Sequence, residues 1–181
     1  MYGLCLRILL QETYEVQDCR YWNTSEVTRT TTNGSTIYDN NMSELLPTNC
    51  EISFDMWSNH SASSGEHRFF FLPKSQYNSG TTQPSYALYI DQLTSSKINA
   101  GKRENSSSQG IGFTQVTATT STYHTIKFVK NATSISIYVD DVFNCTVSLS
   151  WIDNYTDYCF SMMRWSTTGT TKIKNVKIKA L

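Results

Sequence analysis

Stretches in which apolar and polar side chains alternate one by one recur along this chain about every 10 residues, with turn-forming residues between them. Successive side chains of a strand point to opposite faces, so each such stretch buries one side and wets the other. Cys50 to Ser58 shows this most plainly. Ile52, Phe54 and Met56 share one side, and Glu51, Ser53, Asp55 and Trp57 share the other. Ser85 to Asp91 sets Tyr86, Leu88 and Ile90 against Ala87 and Tyr89. Tyr123 to Lys130 carries Ile126 and Phe128, and Ser134 to Asp140 carries Ile135, Ile137 and Val139. Val142 to Leu149 and Tyr158 to Trp165 are further strands, and Ile111 to Thr117 follows as one after Gly110. His67 to Leu72 is so rich in aromatics that it is read as buried on both faces. Asp140-Asp141 marks a tight connection between paired strands. In the last strand, Lys172 to Leu181, the apolar phase flips between Ile173 and Val176, which predicts a β-bulge near Asn175. Its four lysines, Lys172, Lys174, Lys177 and Lys179, are read as the solvent face of that strand, where lysine also discourages edge pairing. The segments 59–66, 75–84 and 102–109 read as loops, the last of them polar and mobile. Only Ser43 to Leu46 offers a turn of helix, and Pro47 closes it.

The 181 residues suffice for one domain with a sizeable core. Lys plus Arg equals Asp plus Glu at 15 each, and this balance argues against a nucleic-acid binder, which needs a basic surface. No stretch approaches the ~20 apolar residues of a membrane helix, so no membrane insertion is expected. Leu4 to Leu10 is interrupted by Arg7 and is too short for the core of a signal peptide. The chain is therefore expected to be a domain of a longer protein or a protein released by lysis, as virion proteins are.

The cysteines are Cys5, Cys19, Cys50, Cys145 and Cys159. Their odd number and the absence of any CxxC spacing speak against a zinc site. A bridge between Cys145 and Cys159 on neighbouring strands and buried free thiols are both open, with free thiols favoured. Asn-x-Ser/Thr sequons begin at Asn23, Asn33, Asn41, Asn59, Asn105, Asn131, Asn144 and Asn154. They are read as a by-product of a Ser/Thr/Asn-rich composition, because Asn144 sits beside Cys145 in a strand, where a glycan fits poorly.

Tyr123-His124-Thr125-Ile126-Lys127-Phe128, followed by Ile135-Ser136-Ile137-Tyr138-Val139-Asp140-Asp141, resembles the concanavalin A-like lectin/glucanase superfamily in its laminin G-like form. There an aromatic-His-x-aliphatic strand leads into a strand that ends in a "YVDG"-like turn. Asp141 stands here where Gly is common. Lys172 to Ile178 is similar to the terminal "I-x-N-V-x-I" strand of the group, and Cys50 to Trp57 to its early core strand. The resemblance implies an all-β, antiparallel two-sheet jelly roll. It is expected to fill residues 1–181 as a single domain, with 1–49 supplying N-terminal strands and Ile37 to Asn40 continuing the sandwich. Domains of this kind occur in phage tail and receptor-binding proteins and in microbial surface adhesins. The resemblance also implies a calcium site at a sandwich edge. Asp39, Asp91, Asp140 and Asp153 are candidate ligands, although no D-x-D-x-D-G loop is present. No other cofactor is expected.

Hydrolases of this superfamily carry acids as E-x-D-x-E on one strand. Glu51-Ile52-Ser53-Phe54-Asp55 has Ser53 in the middle place. Glu51 and Asp55 are then about 13 Å apart along a strand, whereas glycosidases hold their carboxyls about 5 to 9.5 Å apart. A binding module rather than an enzyme is therefore expected. His124 reads as a packed structural histidine. His60 and His67 with Glu66 are a weak candidate metal group.

Sugar recognition uses aromatic faces against C–H groups, with amides, carboxylates and guanidinium groups for the hydroxyls. With 11 Tyr and four Trp the chain can supply them. The loop Trp151, Asp153, Asn154 and Tyr155 is the leading candidate, because aromatics beside Asp and Asn in a loop have fewer structural reasons to be there. Trp57, Arg68, Tyr89, Arg103 and Trp165 follow. The expected partner is cell-surface glycan, with a homo-oligomer inside a fibre or larger surface protein as a further expectation. The expected location is extracellular, on a virion or cell surface. The competing readings are a structural virion or decoration domain and, less favoured, a glycoside hydrolase.

Overall fold

The computed structural model describes residues 19–23, 27–29, 34–37, 47–59, 66–77, 83–94, 97–119, 121–165 and 170–181. At 19–23, 27–29, 34–37, 66–67, 92–94 and 164–165 it describes the backbone alone. The strands are β1 (Cys19–Asn23), β2 (Val27–Arg29), β3 (Gly34–Ile37), β4 (Asn49–Ser58), β5 (Glu66–Pro73), β6 (Ala87–Thr94) and β7 (Lys97–Glu104). They continue as β8 (Ser107–Gly110), β9 (Val116–Thr117), β10 (Tyr123–Asn131), β11 (Ser134–Val139), β12 (Val142–Ser148), β13 (Tyr158–Trp165) and β14 (Thr171–Ala180). Among the described residues the one helical piece is a 3-10 turn at Lys74–Gln76.

The strands form two antiparallel seven-stranded sheets. Sheet A runs β1-β14-β4-β10-β11-β12, with β2 also on β14. Sheet B runs β3-β13-β5-β6-β7-β8, with β9 also on β7. This is the expected β-sandwich jelly roll. Between the sheets the alternation of each strand is read out as burial. Ile52, Phe54 and Met56 on β4 are 0 to 1% exposed, while Glu51, Ser53, Asp55 and Trp57 are half-buried on the other side. Phe54 and Phe128 from sheet A meet Phe71, Tyr158 and Phe160 from sheet B. The Phe54 and Phe160 centroids lie 4.9 Å apart edge to face, and Phe71 stacks on Tyr158 at 5.1 Å. β5 is buried on both faces, as its aromatic density predicts. Phe69 and Phe71 point into the sandwich, and Phe70 and Leu72 join a second cluster on the outer side of sheet B with Ala87, Tyr89, Cys159 and Met163.

Two turns and one bulge behave as their residues require. Asp140 and Asp141 form the two-residue link between β11 and β12, both with positive φ, at 49° and 63°. Each aspartate finds work for its side chain. Asp140 accepts from the Thr125 N–H at 2.9 Å and contacts His124 Nδ1 at 2.8 Å, and Asp141 accepts from Lys127 Nζ at 2.9 Å. His124 is accordingly a packed residue of the fold. In β14 the register against β4 shifts between Lys174 and Lys177, and Asn175 carries φ 52°. This is the predicted bulge. It lets Ile173, Val176 and Ile178 all face the core.

Two segments are placed differently from expectation. The polar segment 102–109 is largely a hairpin: β7 runs to Glu104, β8 pairs with it from Ser107, and Asn105 and Ser106 turn between them with positive φ. Its alternation was hidden because the outward residues of β8 are exposed Ser and Gln. The segment 111–117 contributes only Val116–Thr117 to a strand. Its middle is held instead by the Asn144 side chain, which accepts from the Thr114 N–H at 2.9 Å and donates to the Thr114 carbonyl at 2.8 Å. Those two bonds occupy the amide of the Asn144 sequon. Ser43 to Leu46, His60, Asp39, Cys5, Asn33 and Asn41 lie outside the described residues.

One end of the sandwich is closed by a buried charge. Lys130, on β10, is 0% exposed. Its ammonium pairs with Asp153 at 2.8 Å and donates to the Thr48 carbonyl at 3.1 Å. A buried ammonium without a counter-ion is strongly destabilising, so this pair fixes the loop that carries Asp153. Cys50, Cys145 and Cys159 are free and buried. A Cys145–Cys159 bridge does not form, because Cys145 faces the core from β12 in sheet A and Cys159 faces outward from β13 in sheet B.

Asp153→Ala strands the Lys130 ammonium and is expected to destabilise the protein by about 2–4 kcal/mol, whereas Lys130→Met is expected to cost about 1 kcal/mol. Urea unfolding of the two variants reads the order, and equal losses would contradict it. Burial pushes the Cys50 thiol up to about 11 and the Cys159 thiol up to about 12. In native protein at about pH 8 both are therefore expected to resist iodoacetamide, and both should label in denaturant, as read by peptide mass spectrometry.

Candidate functional site

Three of the residues expected to bind ligand come together on the outer side of sheet B, because β5, β6 and β7 are adjacent there. The register sets Arg68 beside Asp91, and Tyr89 beside Gly101. Arg68 forms a two-pronged pair with Asp91 through Nε and Nη2, and its guanidinium lies 4.1 Å from the Tyr89 ring centroid. The Tyr89 ring occupies the space beside Gly101, where a Cβ would overlap the phenol oxygen. Arg103 donates to the Pro84 and Ser106 carbonyls, to Gln83 Oε1 and to Ser108 Oγ, while Arg68 reaches the same Gln83 oxygen at 3.2 Å. Burial, and then the Arg68 charge, make the Arg103 guanidinium less basic than usual.

The cluster is thus almost fully used inside the chain. Arg68, Tyr89, Asp91 and Arg103 are each at most 7% exposed. Arg68 covers a face of Tyr89, and Arg103 ties the 83–86 segment to the β7–β8 turn. The sequence names these side chains but not their mutual saturation. That depends on strand neighbours 14 to 23 positions away in the chain, as Arg68 and Asp91 are 23 apart and Tyr89 lies 14 before Arg103.

The Trp151 to Tyr155 loop divides into two roles. Trp151 is 2% exposed and belongs to the core, so its ring is not a loop surface offered to a ligand, and Asp153 is the counter-ion of Lys130. The reason is position: the loop folds over the end of the sandwich and Trp151 plugs it. Tyr155 and Asn154 remain at the surface, half-buried and exposed respectively. Tyr155 meets Tyr86, with ring centroids 6.3 Å apart and planes inclined by 49°, and Trp151 backs Tyr86 at 6.2 Å. The Tyr86 hydroxyl donates to Asn105 Oδ1. Beside them Glu104 pairs with Lys102 at 3.0 Å and accepts from Ser150 at 3.5 Å, and Ser85 and Ser106 hydroxyls are 2.8 Å apart.

This end of the sandwich therefore presents two partly exposed aromatic rings within a border of amide, carboxylate and hydroxyl groups. Tyr86, Glu104 and Asn105 were not singled out from the sequence. Tyr86 fell on the core phase of its strand, and its place at the strand's very start is the one signal that its ring reaches the rim.

The remaining candidates are dispersed. Trp57 lies on the outer side of sheet A, half-buried, with Lys172 Nζ 5.0 Å from its ring centroid. Trp165 ends β13, and its side chain lies outside the described residues, as do those of Glu66 and His67. Among the described residues no three His, Cys, Asp or Glu side chains converge to hold a metal ion. Asp91, Asp140 and Asp153 are held by Arg68, by His124 with the Thr125 N–H, and by Lys130. Asp55 accepts from Thr125 Oγ1 at 2.8 Å and from Asn175 Nδ2 at 2.7 Å.

No protein-family model and no curated protein matches the chain. Solved structures do. The chain is similar to the carbohydrate-binding module CBM66 from Bacillus subtilis at 11% identity, covering 90% of this chain and 96% of that one with a TM-score of 0.54. It is similar to the potassium-bound carbohydrate recognition domain of Emp46p at 10% identity, covering 93% and 91% with a TM-score of 0.61. It is also similar to the Crh5 transglycosylase at 8% identity, covering 91% and 79% with a TM-score of 0.56. At such identities the likeness is one of fold: the chain is an antiparallel two-sheet β-sandwich of the jelly-roll kind.

Proposed function

We propose that this domain is a non-catalytic carbohydrate-binding module whose binding surface is the Tyr86–Tyr155 rim. The observation that carries this reading is the pair of partly exposed tyrosine rings, 6.3 Å apart, braced from below by buried Trp151 and bordered by Asn105, Asn154 and Glu104. Ring faces pack against sugar C–H groups, and amide, carboxylate and hydroxyl groups around them meet the sugar hydroxyls. The rigid core beneath the rim keeps the rings in place before a ligand arrives, which lowers the ordering entropy of binding. Carbohydrate-binding modules and lectin domains among the structural neighbours support the same reading.

Glycoside-processing enzymes share the fold, so the non-catalytic assignment rests on side chains. The Glu51–Ser53–Asp55 strand lacks its middle acid, and Asp55 is taken up by Thr125 and Asn175. The setting we propose is extracellular, as the recognition part of a receptor-binding or adhesin-type surface protein that meets cell-surface glycan.

A glycan array probed with the purified chain tests the proposal. Tyr155→Ala and Tyr86→Ala are each expected to weaken binding about tenfold, the equivalent of about 1.4 kcal/mol, while leaving the circular dichroism spectrum unchanged. Trp151→Ala is expected to lose about 3–5 kcal/mol of stability, and its binding with it. A silent array, or tyrosine variants that bind like the parent, would sink the rim assignment.

A further inference from the structure

The Asn-x-Ser/Thr triplets are a feature of this chain that the rim does not explain. Composition does not account for their number. Ser and Thr make up 47 of the 181 residues, so chance would set about three of the 13 asparagines in such a triplet, and eight are. None of the triplets has Pro in the middle place, which would bar glycan transfer.

The structure sorts the triplets by what each asparagine side chain does. Side chains are described for Asn59, Asn105, Asn131, Asn144 and Asn154. Asn144 is half-buried, and both ends of its amide are used. Its Oδ1 accepts from the Thr114 N–H, and its Nδ2 donates to the Thr114 carbonyl. A glycan on that nitrogen would strain the clamp that holds the Thr114 segment. The other four asparagines are exposed and stand at strand ends or in loops, where a bulky hydrophilic chain costs no packing. Two of them lend their oxygen to the fold, Asn59 to the Thr170 N–H and Asn105 to the Tyr86 hydroxyl. Asn154 precedes Tyr155, so a glycan there would stand over the rim.

Asn131 has none of these ties. It is the last residue of β10, at the two-residue turn Ala132-Thr133 that leads into β11. Lys130 before it is buried, whereas Asn131 is exposed. Among the described residues no hydrogen bond holds its side-chain amide. The backbone around it is fixed by ladder pairs with Asn49 and Ser134, and by the Ala132 N–H on the Thr48 carbonyl at 3.0 Å. The side chain therefore projects from a fixed base with a free nitrogen, and Thr133 completes the triplet.

We propose that Asn131 is an N-glycan acceptor. The co-reactant is an oligosaccharide carried on a lipid diphosphate and delivered by a membrane-bound transferase. Asn131 Nδ2 attacks the anomeric carbon, a C–N bond forms, and the C–O bond to the diphosphate breaks. The lipid diphosphate leaves with that electron pair, and the amide nitrogen gives up one proton to a base of the transferase. No oxidant or reductant is consumed. The site rests on the extracellular setting proposed above, in which the chain meets such a transferase, and is independent of the rim.

The test uses the intact chain purified from the cells that make it. Its peptides are treated in heavy-oxygen water with an amidase that releases N-glycans, which turns each occupied Asn into a labelled Asp in the mass spectrum. Asn131 is expected to carry the label and Asn144 to lack it. A second arm has a eukaryotic cell secrete the chain behind a cleavable leader. There Asn131→Gln and Thr133→Ala are each expected to lose one glycan on a gel, and Thr133→Ser to keep it. All three are expected to retain the circular dichroism spectrum of the parent. Tyr155→Ala is expected to keep the Asn131 glycan, so loss of rim binding and loss of occupancy are separate results. Asn131 bare in both arms, a labelled Asn144, or an unchanged gel position for Asn131→Gln overturns the acceptor on its geometry. Asn131 occupied in the secreted chain but bare in the chain from its own cells overturns it through the extracellular setting.

Discussion

A residue in a strand cannot change faces without an extra residue in the backbone, and this fixed phase governs the whole molecule. Two seven-stranded sheets share one core, so every central strand must present its apolar side chains to the same interior. Most strands meet the condition by plain alternation. β14 cannot, because Ile173 and Val176 are three apart. The bulge at Asn175 resolves the conflict in the left-handed region, where Asn is among the better tolerated non-glycine residues. The price is one unpaired rung, and the gain is that three aliphatic side chains reach the core while four lysines stay in water.

The same phase rule explains what could be read from the chain and what could not. β4, β10 and β11 were legible because their alternation is strict and each has one wet face. The bulge was legible as a broken phase, and the Asp140-Asp141 turn as a short polar break between alternating runs. The β7–β8 hairpin was not legible. Its turn is Asn105-Ser106 without Gly, and β8 offers no apolar side chain to reveal a period. Trp151 was misplaced for a different reason. Its neighbours Ser150, Asp153 and Asn154 are polar, so local composition reads as surface. Only the closing of the sandwich end, with Lys130 beneath, draws the indole inside. Sequence shows that a lysine falls on the inward phase of β10, but not which acid will answer it.

Among the described residues, several charges are settled in pairs. Arg68 with Asp91, Lys130 with Asp153 and Lys127 with Asp141 each join segments distant in sequence. The first is buried on both sides and the second on the lysine side, and such pairs are better understood as fixing one arrangement than as large net sources of stability. Arg103 does similar work through carbonyls and Gln83. This is why the cluster on the outer side of sheet B, although chemically the most varied on the molecule, has little capacity left for a ligand. Each donor there already holds the 83–86 segment, the β7–β8 turn or a neighbouring carboxylate. A ligand that displaced these contacts would loosen the supports of Tyr86.

That dependence links the buried cluster to the rim. Tyr86 follows directly on the Gln83-Pro84-Ser85 segment that Arg103 holds, and its hydroxyl bonds to Asn105 in the turn that Arg103 also holds. Tyr155 sits two residues after Asp153, which Lys130 anchors. The two half-buried rings are therefore each positioned by a separate buried cation, one from each sheet. Rigid scaffolds commonly place binding groups on loops in this way, with the order supplied from below. Arg103 and Asp153, first suspected of touching a ligand, are better placed to hold Tyr86 and Tyr155, since they act on the rim through these two tyrosines.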